Sequence, residues 1–261
     1  MKRSVLIGLM AISFCSCEKV VNIDLNTANP AVVIEADLYE GEHPFRARVS
    51  LTSDYYGRYP QQRIEDASVL LVNGQGDTTQ VPHAADGYYE LPVYKTSVGE
   101  SYTLVVVAES RTFTSTTVMP APVPIDSLTW VYQDQGFGDP GYELYTWFQD
   151  PEQEANYYRC ILTKNDTLLN EPGDLIVFND KFNNGNTVKA DVINELQPGD
   201  KIDVLLMTMD EKVYTYFETL RRTLNNAGSP APGNPVSNIT GGALGYFAAW
   251  GRSSASATIQ E

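Results

Sequence analysis

Histidine and cysteine are nearly missing from this chain. Its 261 residues include two histidines, His43 and His83, and three cysteines, Cys15, Cys17 and Cys160. That thin supply removes several kinds of chemistry. There is no HExxH segment and no cluster of Cys and His at ligand spacing, so no zinc site or other metal site is expected. There is no G-x-S-x-G elbow, and a Ser-His-Asp triad would have to recruit His43 or His83 from turn-like contexts. Basic residues are also short, 18 against 33 acidic, for a net charge of −15. Such a balance argues against nucleic acid and against docking on anionic headgroups. Beyond the N-terminus no run approaches the 18 apolar residues of a membrane-spanning helix.

The one greasy stretch is residues 5–14 (VLIGLMAISF), behind the basic pair Lys2 and Arg3. As a helix it would cover about 15 Å, against roughly 30 Å of hydrocarbon. A short basic head, a short apolar run and small residues make an export signal. The small Ser16 precedes Cys17 and acidic Glu18 follows. This resembles a lipoprotein cleavage box, so 1–16 are expected to be removed and Cys17 to carry the lipid. Removal takes Lys2 and Arg3 and no acid, leaving 16 basic against 33 acidic residues, a net of −17. Residues 17–29 read as a lipidated tether. With Cys17 acylated no intramolecular disulfide is possible. Cys160, in the alternating stretch YYRCILT, is expected to be a small buried apolar residue.

Alternation of apolar and polar residues dominates the chain beyond residue 30. Residues 45–52 (FRARVSLT) show the period of two that marks a half-buried strand, and 32–38, 67–73, 86–92, 101–110 and 111–120 read alike. Short strands at turn-punctuated intervals predict an immunoglobulin-like β-sandwich over 30–120. Residues 119–124 (MPAPVP) then interrupt with alternating prolines, which cannot sit in a central strand, and 121–124 are taken as a linker. Strand patterns resume at 125–134, 142–150, 156–165, 174–180 and 200–209, predicting a second sandwich over 125–261. Within it, Val213, Phe217, Leu220 and Leu224 recur at helical spacing. A helix is expected over about 211–225, with Asp210 as cap, Arg221 and Arg222 at its C-terminal end and Gly228 as stop. Its apolar face is expected to pack on the second sandwich. Residues 241–251 (GGALGYFAAWG) read as a Gly-led aromatic strand rather than a phosphate loop, because no lysine is present and no helix follows. The fold class is all-β, with two tandem β-sandwiches, the second carrying one amphipathic helix.

Acidic pairs are the remaining catalytic possibility. Asp150 with Glu152, or Glu35 with Asp37 two apart on one strand face, could flank a glycosidic bond, but no motif sets them apart from surface acids. Residues 179–186 (NDKFNNGN) gather oxygen ligands around Gly185. They lack the closing Glu of a calcium loop, and an Asn-Gly turn is the better reading. No catalytic residue and no cofactor are expected. Aromatic residues in loops carry the positive signal. Tyr55, Tyr56 and Tyr59 stand beside Arg58 in SDYYGRYP, and Tyr and Arg dominate binding hot spots on sandwich loops. The aromatic stretch from Trp130 to Phe148 is expected to be core.

Several motifs in order, CEKVVNIDL after the signal, GYYEL and SYTL, MPAPVPIDSL at the junction, FQDPEQEANYYR and PVSNITGGALGYF, resemble the Bacteroidota outer-membrane lipoprotein family catalogued as domain of unknown function 4249. The resemblance spans nearly the whole mature chain. It implies a lipid-anchored outer-membrane protein, commonly encoded beside a TonB-dependent receptor, with no catalytic residues to carry over. It also makes Asp126-Ser127-Leu128, Asp166-Thr167-Leu168 and Asp77-Thr78-Thr79 resemble O-glycosylation sites of that phylum. The expected function is a non-enzymatic accessory or ligand-capture partner of such a receptor, facing the cell surface. The alternative is a stand-alone surface module that binds carbohydrate or peptide.

Overall fold

The computed structural model of the chain describes residues 30–53, 61–134, 140–225 and 233–261. The first half runs β1 (Val32–Tyr39), β2 (Glu42–Leu51), β3 (Ser68–Val72), β4 (Thr78–Val81), β5 (His83–Ala85), β6 (Tyr88–Lys95), β7 (Ser101–Ala108) and β8 (Arg111–Val118). The second runs β9 (Ser127–Gln133), β10 (Gly141–Gln149), β11 (Tyr157–Lys164), β12 (Thr167–Leu168), β13 (Ile176–Asn179), β14 (Thr187–Leu196), β15 (Lys201–Met209), α1 (Glu211–Asn225) and β16 (Leu244–Thr258). Among the described residues the fold is all-β with one α-helix.

Among the described residues three sheets build it. A nine-stranded sheet runs β12-β11-β15-β16-β1-β2-β6-β5, with β13 also on β11. A four-stranded sheet, β4-β3-β7-β8, covers one half of its inner face, and a three-stranded sheet, β14-β10-β9, covers the other. Alternation decides the two faces. In β1, Val32, Ile34, Ala36 and Leu38 are buried while the residues between them are only half-buried. These four meet Phe45, Val49, Leu71, Tyr102, Phe113 and Phe247 in the first core. A second core gathers Leu144, Phe148, Tyr158, Cys160, Val204 and Leu206. Cys160 is the buried apolar residue its strand pattern implied, and burial pushes its thiol up to about 12.

The division of the chain at 121–124 differs from the expectation in one respect. Residues 244–250 of β16 pair in parallel with Val33 to Tyr39 of β1, while 251–258 pair antiparallel with β15. One strand therefore belongs to both sandwiches. Its sequence explains this, because Phe247, Ala248, Ala249 and Trp250 are all buried in succession, as in a central strand covered on both faces. Parallel pairing also needs a long return connection, which residues from β1 to β16 provide. Gly245, at a φ of +94°, lies so close to β1 that a Cβ there would stand 2.0 Å from the Ile34 carbonyl oxygen.

The proline segment is stitched down rather than free. Thr208 donates to the Ala121 carbonyl at 2.8 Å and Ser253 to that of Val123 at 2.6 Å. Met119 enters the first core and Val123 the second. Helix α1 lies where the spacing placed it. Asp210 accepts from the Val213 amide at 2.9 Å, and its other oxygen accepts from Thr117 of β8 at 2.6 Å. Glu218 pairs with Arg221 and Arg222 one turn on. The buried face of α1, Val213, Tyr216 and Phe217, packs on Met207, Met209, Ala248 and Trp250. That is the outer face of the nine-stranded sheet at the seam between its halves, and not the second core. No helix among the described residues is long and apolar enough to cross a membrane.

Candidate functional site

The outer face of the nine-stranded sheet carries an unusual set of side chains. Alternation puts Glu35, Asp37 and Tyr39 of β1 there, and registration places Arg46 opposite Asp37 and Arg48 opposite Glu35. Glu90 and Tyr88 of β6 stand opposite Arg46 and Arg48. On the other side, Tyr39 faces Trp250. Helix α1 covers the sheet at Trp250 and Tyr246, and the strands beyond it are left open.

Beside the covered region is a groove of about 610 Å³, lined from β1 by Asp37 and Tyr39, from the β2 end by His43, Pro44, Phe45 and Arg46, from β6 by Glu90, Leu91 and Pro92, and from β16 by Arg252. That volume lies within the range of small-molecule sites, about 300–1,000 Å³. Arg252 is half-buried, and its guanidinium carbon lies 4.3 Å from the Tyr39 ring centroid. Its Nη2 is 2.9 Å from His43 Nε2. Arginine can only donate, so His43 Nε2 accepts and Nδ1 holds the ring proton. The Tyr39 ring meets the His43 ring edge-on at 6.4 Å. Burial pushes the Tyr39 hydroxyl up to about 12, so it stays protonated. Arg46 is paired with Glu90 at 2.6 Å, and Arg46 and Arg48 both lie over the Tyr88 ring. Among the described residues no carboxylate oxygen stands within 4.0 Å of Arg252.

A hydrogen-bonded support runs behind the groove under α1. Asp37 accepts from Trp250 Nε1 at 2.8 Å and from the Tyr246 hydroxyl at 3.3 Å. Burial raises the Asp37 carboxyl above its ordinary range, and Arg159 partly offsets that rise. The Tyr246 hydroxyl is pushed well above its usual value, also by burial. Arg159 of β11 lies 4.4 Å over the Phe217 ring and 5.8 Å from that of Trp250. Its Nε is buried without a hydrogen-bond partner, and burial lowers its pKa. A guanidinium over aromatic faces is stabilised by their quadrupoles, by about 2 kcal/mol where water is excluded. The support fixes Asp37 and the Trp250 ring, and thereby the strand pair that presents Tyr39 and Arg252.

The residues singled out by sequence fare differently. Tyr55, Tyr56, Arg58, Tyr59 and Cys17 lie outside the described residues. Glu35 and Asp37 do share a face, but Asp37 is engaged by Trp250 and Tyr246, and Glu35 lies 3.9 Å from Arg48. Asp150 is buried and accepts from the Tyr158 hydroxyl and the Gly185 amide, so it pins the turn at 179–186. In that turn Asp180 accepts from the Asn156 amide at 2.8 Å, and Gly185 has a φ of +73°. Among the described residues no three of His, Cys, Asp and Glu gather as a metal site. His83 is exposed on β5, whereas His43 lies in the groove. The aromatic stretch 130–148 divides between faces. Leu144 and Phe148 enter the core with Trp130 packed against it, while Tyr145 and Trp147 are half-buried on the opposite face, with Trp147 Nε1 donating to Thr129 at 2.7 Å and Lys189 Nζ 3.7 Å from the Tyr145 ring centroid. Arg252 and Arg159 are functional candidates that the sequence alone does not single out. Their local signal is an arginine inside or just after an apolar strand, where a charge needs a special neighbour.

Fold and groove together define an all-β protein of two sandwich cores joined through one sheet, with a pocket on that sheet's outer face. The model of the family described as Domain of unknown function (DUF4249) matches residues 18–256, and the chain belongs to that family. No curated protein matches it. A two fibronectin type-III domain segment from chicken tenascin aligns over 69% of this chain and 91% of its own, at 15% identity and a TM-score of 0.22, a likeness too slight to carry an argument.

Proposed function

We propose that this protein is a non-enzymatic lipoprotein of the outer membrane, anchored through Cys17 and facing the cell surface, that captures a ligand in the β1–β2–β6–β16 groove as the accessory of a TonB-dependent receptor. The observation that carries the capture step is the groove itself, a preformed hollow with a clamped guanidinium at its wall. The sequence before residue 30 supports the anchor, and the receptor as partner rests on what the resemblance to the lipoprotein family implies. An anchored protein diffuses in two dimensions, so its effective concentration near a receptor is high and a modest interface suffices. The net charge of −17 that remains once residues 1–16 are removed, 16 basic against 33 acidic residues, keeps it off anionic headgroups. The binding step needs no cofactor.

Tagged full-length protein, purified from membranes of its native host in mild detergent, is expected to bring down an outer-membrane receptor barrel. Absence of any barrel from the eluate rejects the accessory reading. The second reading, a stand-alone carbohydrate-binding module, is favoured by the outward-facing Tyr145 and Trp147, whose rings suit a sugar face. Glycan-array retention abolished by Trp147→Ala, in the absence of a barrel, would establish it instead.

A further inference from the structure

Arg252 stands out against the rest of the charge on this chain. Acidic residues outnumber basic ones 33 to 18, so a guanidinium on this protein has many carboxylates available to it. Arg46 and Arg48, on the same sheet face, have found theirs. Arg252 has instead been fixed by neutral groups, the face of Tyr39 beneath it and the acceptor nitrogen of His43 beside it. One N–H is spent on His43 and no other protein acceptor takes the rest among the described residues. A guanidinium has five N–H donors in a planar fork that matches the two oxygens of a carboxylate. Because Tyr39 and His43 already hold it, little side-chain freedom remains to be lost when an anion docks.

We infer that the groove recognises its ligand through a single carboxylate seated on Arg252, with an apolar or ring-bearing body lying along Pro44 and Pro92. This deepens the capture reading and rests on the groove being a ligand site. Three considerations narrow the ligand to this class. The anchor is an arginine, so it reads a planar anion by two parallel bonds. Asp37 and Glu90 line the same groove, and their presence disfavours a dianion such as a phosphate monoester, which carries close to two charges at neutral pH. The remaining wall, with Pro44 and Pro92, offers apolar contact over a volume suited to a body the size of one ring and a short chain.

The test compares three matched probes on the mature lipid-bearing chain in nanodiscs by isothermal titration. They are 4-phenylbutyrate, its carboxamide, and 3-phenylpropyl phosphate, with empty nanodiscs as the partition control. The carboxylate is expected to bind at least about tenfold more tightly than the amide, as the loss of a charge-assisted pair implies, and more tightly than the phosphate. Arg252→Gln should weaken the carboxylate by about tenfold or more and leave the amide unchanged. Arg252→Lys, which keeps the charge and loses the fork, should not restore it fully. Equal binding of carboxylate and amide overturns the inference, as does tighter binding of the phosphate, or no carboxylate binding up to about 20 mM, a concentration that would reveal even a dissociation constant of several millimolar. The probe comparison uses the unaltered chain, so it stands even if an Arg252 variant misfolds. Carboxylate selectivity without a barrel in the membrane pull-down would reject the accessory role and leave this inference in place.

Discussion

Gly245→Ala is expected to cost more than about 4 kcal/mol of unfolding free energy, the range reserved for a few severe mechanisms. Two effects combine at this position. The backbone has a φ of +94°, where an L side chain is strained, and a Cβ would stand 2.0 Å from the Ile34 carbonyl oxygen. The obstructing atom is backbone in the middle of β1, so no rotamer change relieves it. Relief means prising β16 from β1, which loses the parallel ladder from Val33 to Tyr39. Gly76 supplies the control. Its φ is +88°, nearly the same, but a Cβ there meets nothing within 4 Å. Gly76→Ala should therefore cost only the backbone strain, about 1–2 kcal/mol. The difference between the two midpoints in urea isolates the clash. Equal costs would mean that β16 does not lie against β1. Gly245→Ala should also abolish carboxylate selectivity, since Arg252 rides on β16 while Tyr39 sits on β1 and His43 on β2.

The second large effect concerns the anchor. Membrane attachment is expected to vanish entirely when the chain from Glu18 onward is exported behind an ordinary cleavable leader, because that chain lacks Cys17. Each buried methylene contributes about 0.8 kcal/mol, so the several acyl chains of the proposed anchor would hold the protein effectively without release. The unaltered protein should partition into the detergent phase on cloud-point separation, with an N-terminal peptide that begins at Cys17 and carries the acyl mass. The Glu18 form should be wholly aqueous. An unmodified amino terminus, or a Glu18 form still with the membranes, would refute the anchor and with it the two-dimensional confinement on which the proposed capture relies.

What can be read from the residues is local. Period-two patterns locate β1, β2, β3, β6, β7 and β8, spacing locates α1 over Glu211–Asn225, and the prolines mark the passage between cores. The strands that escape are short or polar. β4 and β5 hold few apolar residues, and β14 (TVKADVINEL) interrupts its alternation with a register shift against β10. The pairing of β16 with β1 is out of reach for another reason. It joins residues about 210 positions apart, and nothing in either strand names its partner. The run FAAW does carry a hint, since four consecutive buried residues call for cover on both faces. The groove is illegible for the same cause. Asp37 is conspicuous in the sequence only as half of an acidic pair, because its neighbours Trp250, Tyr246 and Arg159 come from distant strands. Arg252 cannot be told from a surface arginine until Tyr39 and His43 are seen to hold it.

Native-state hydrogen exchange along β16 tests most directly whether the two halves form one cooperative structure with the groove on its shared sheet. Residues 245–250 hydrogen-bond with β1 and 251–258 with β15. The amides of both segments that donate to the neighbouring strand should exchange only through global opening, with the same free energy as urea unfolding reports. Two tiers, with 251–258 slow and 245–250 released by a smaller opening, would contradict it and leave two independent sandwiches without a built groove between them.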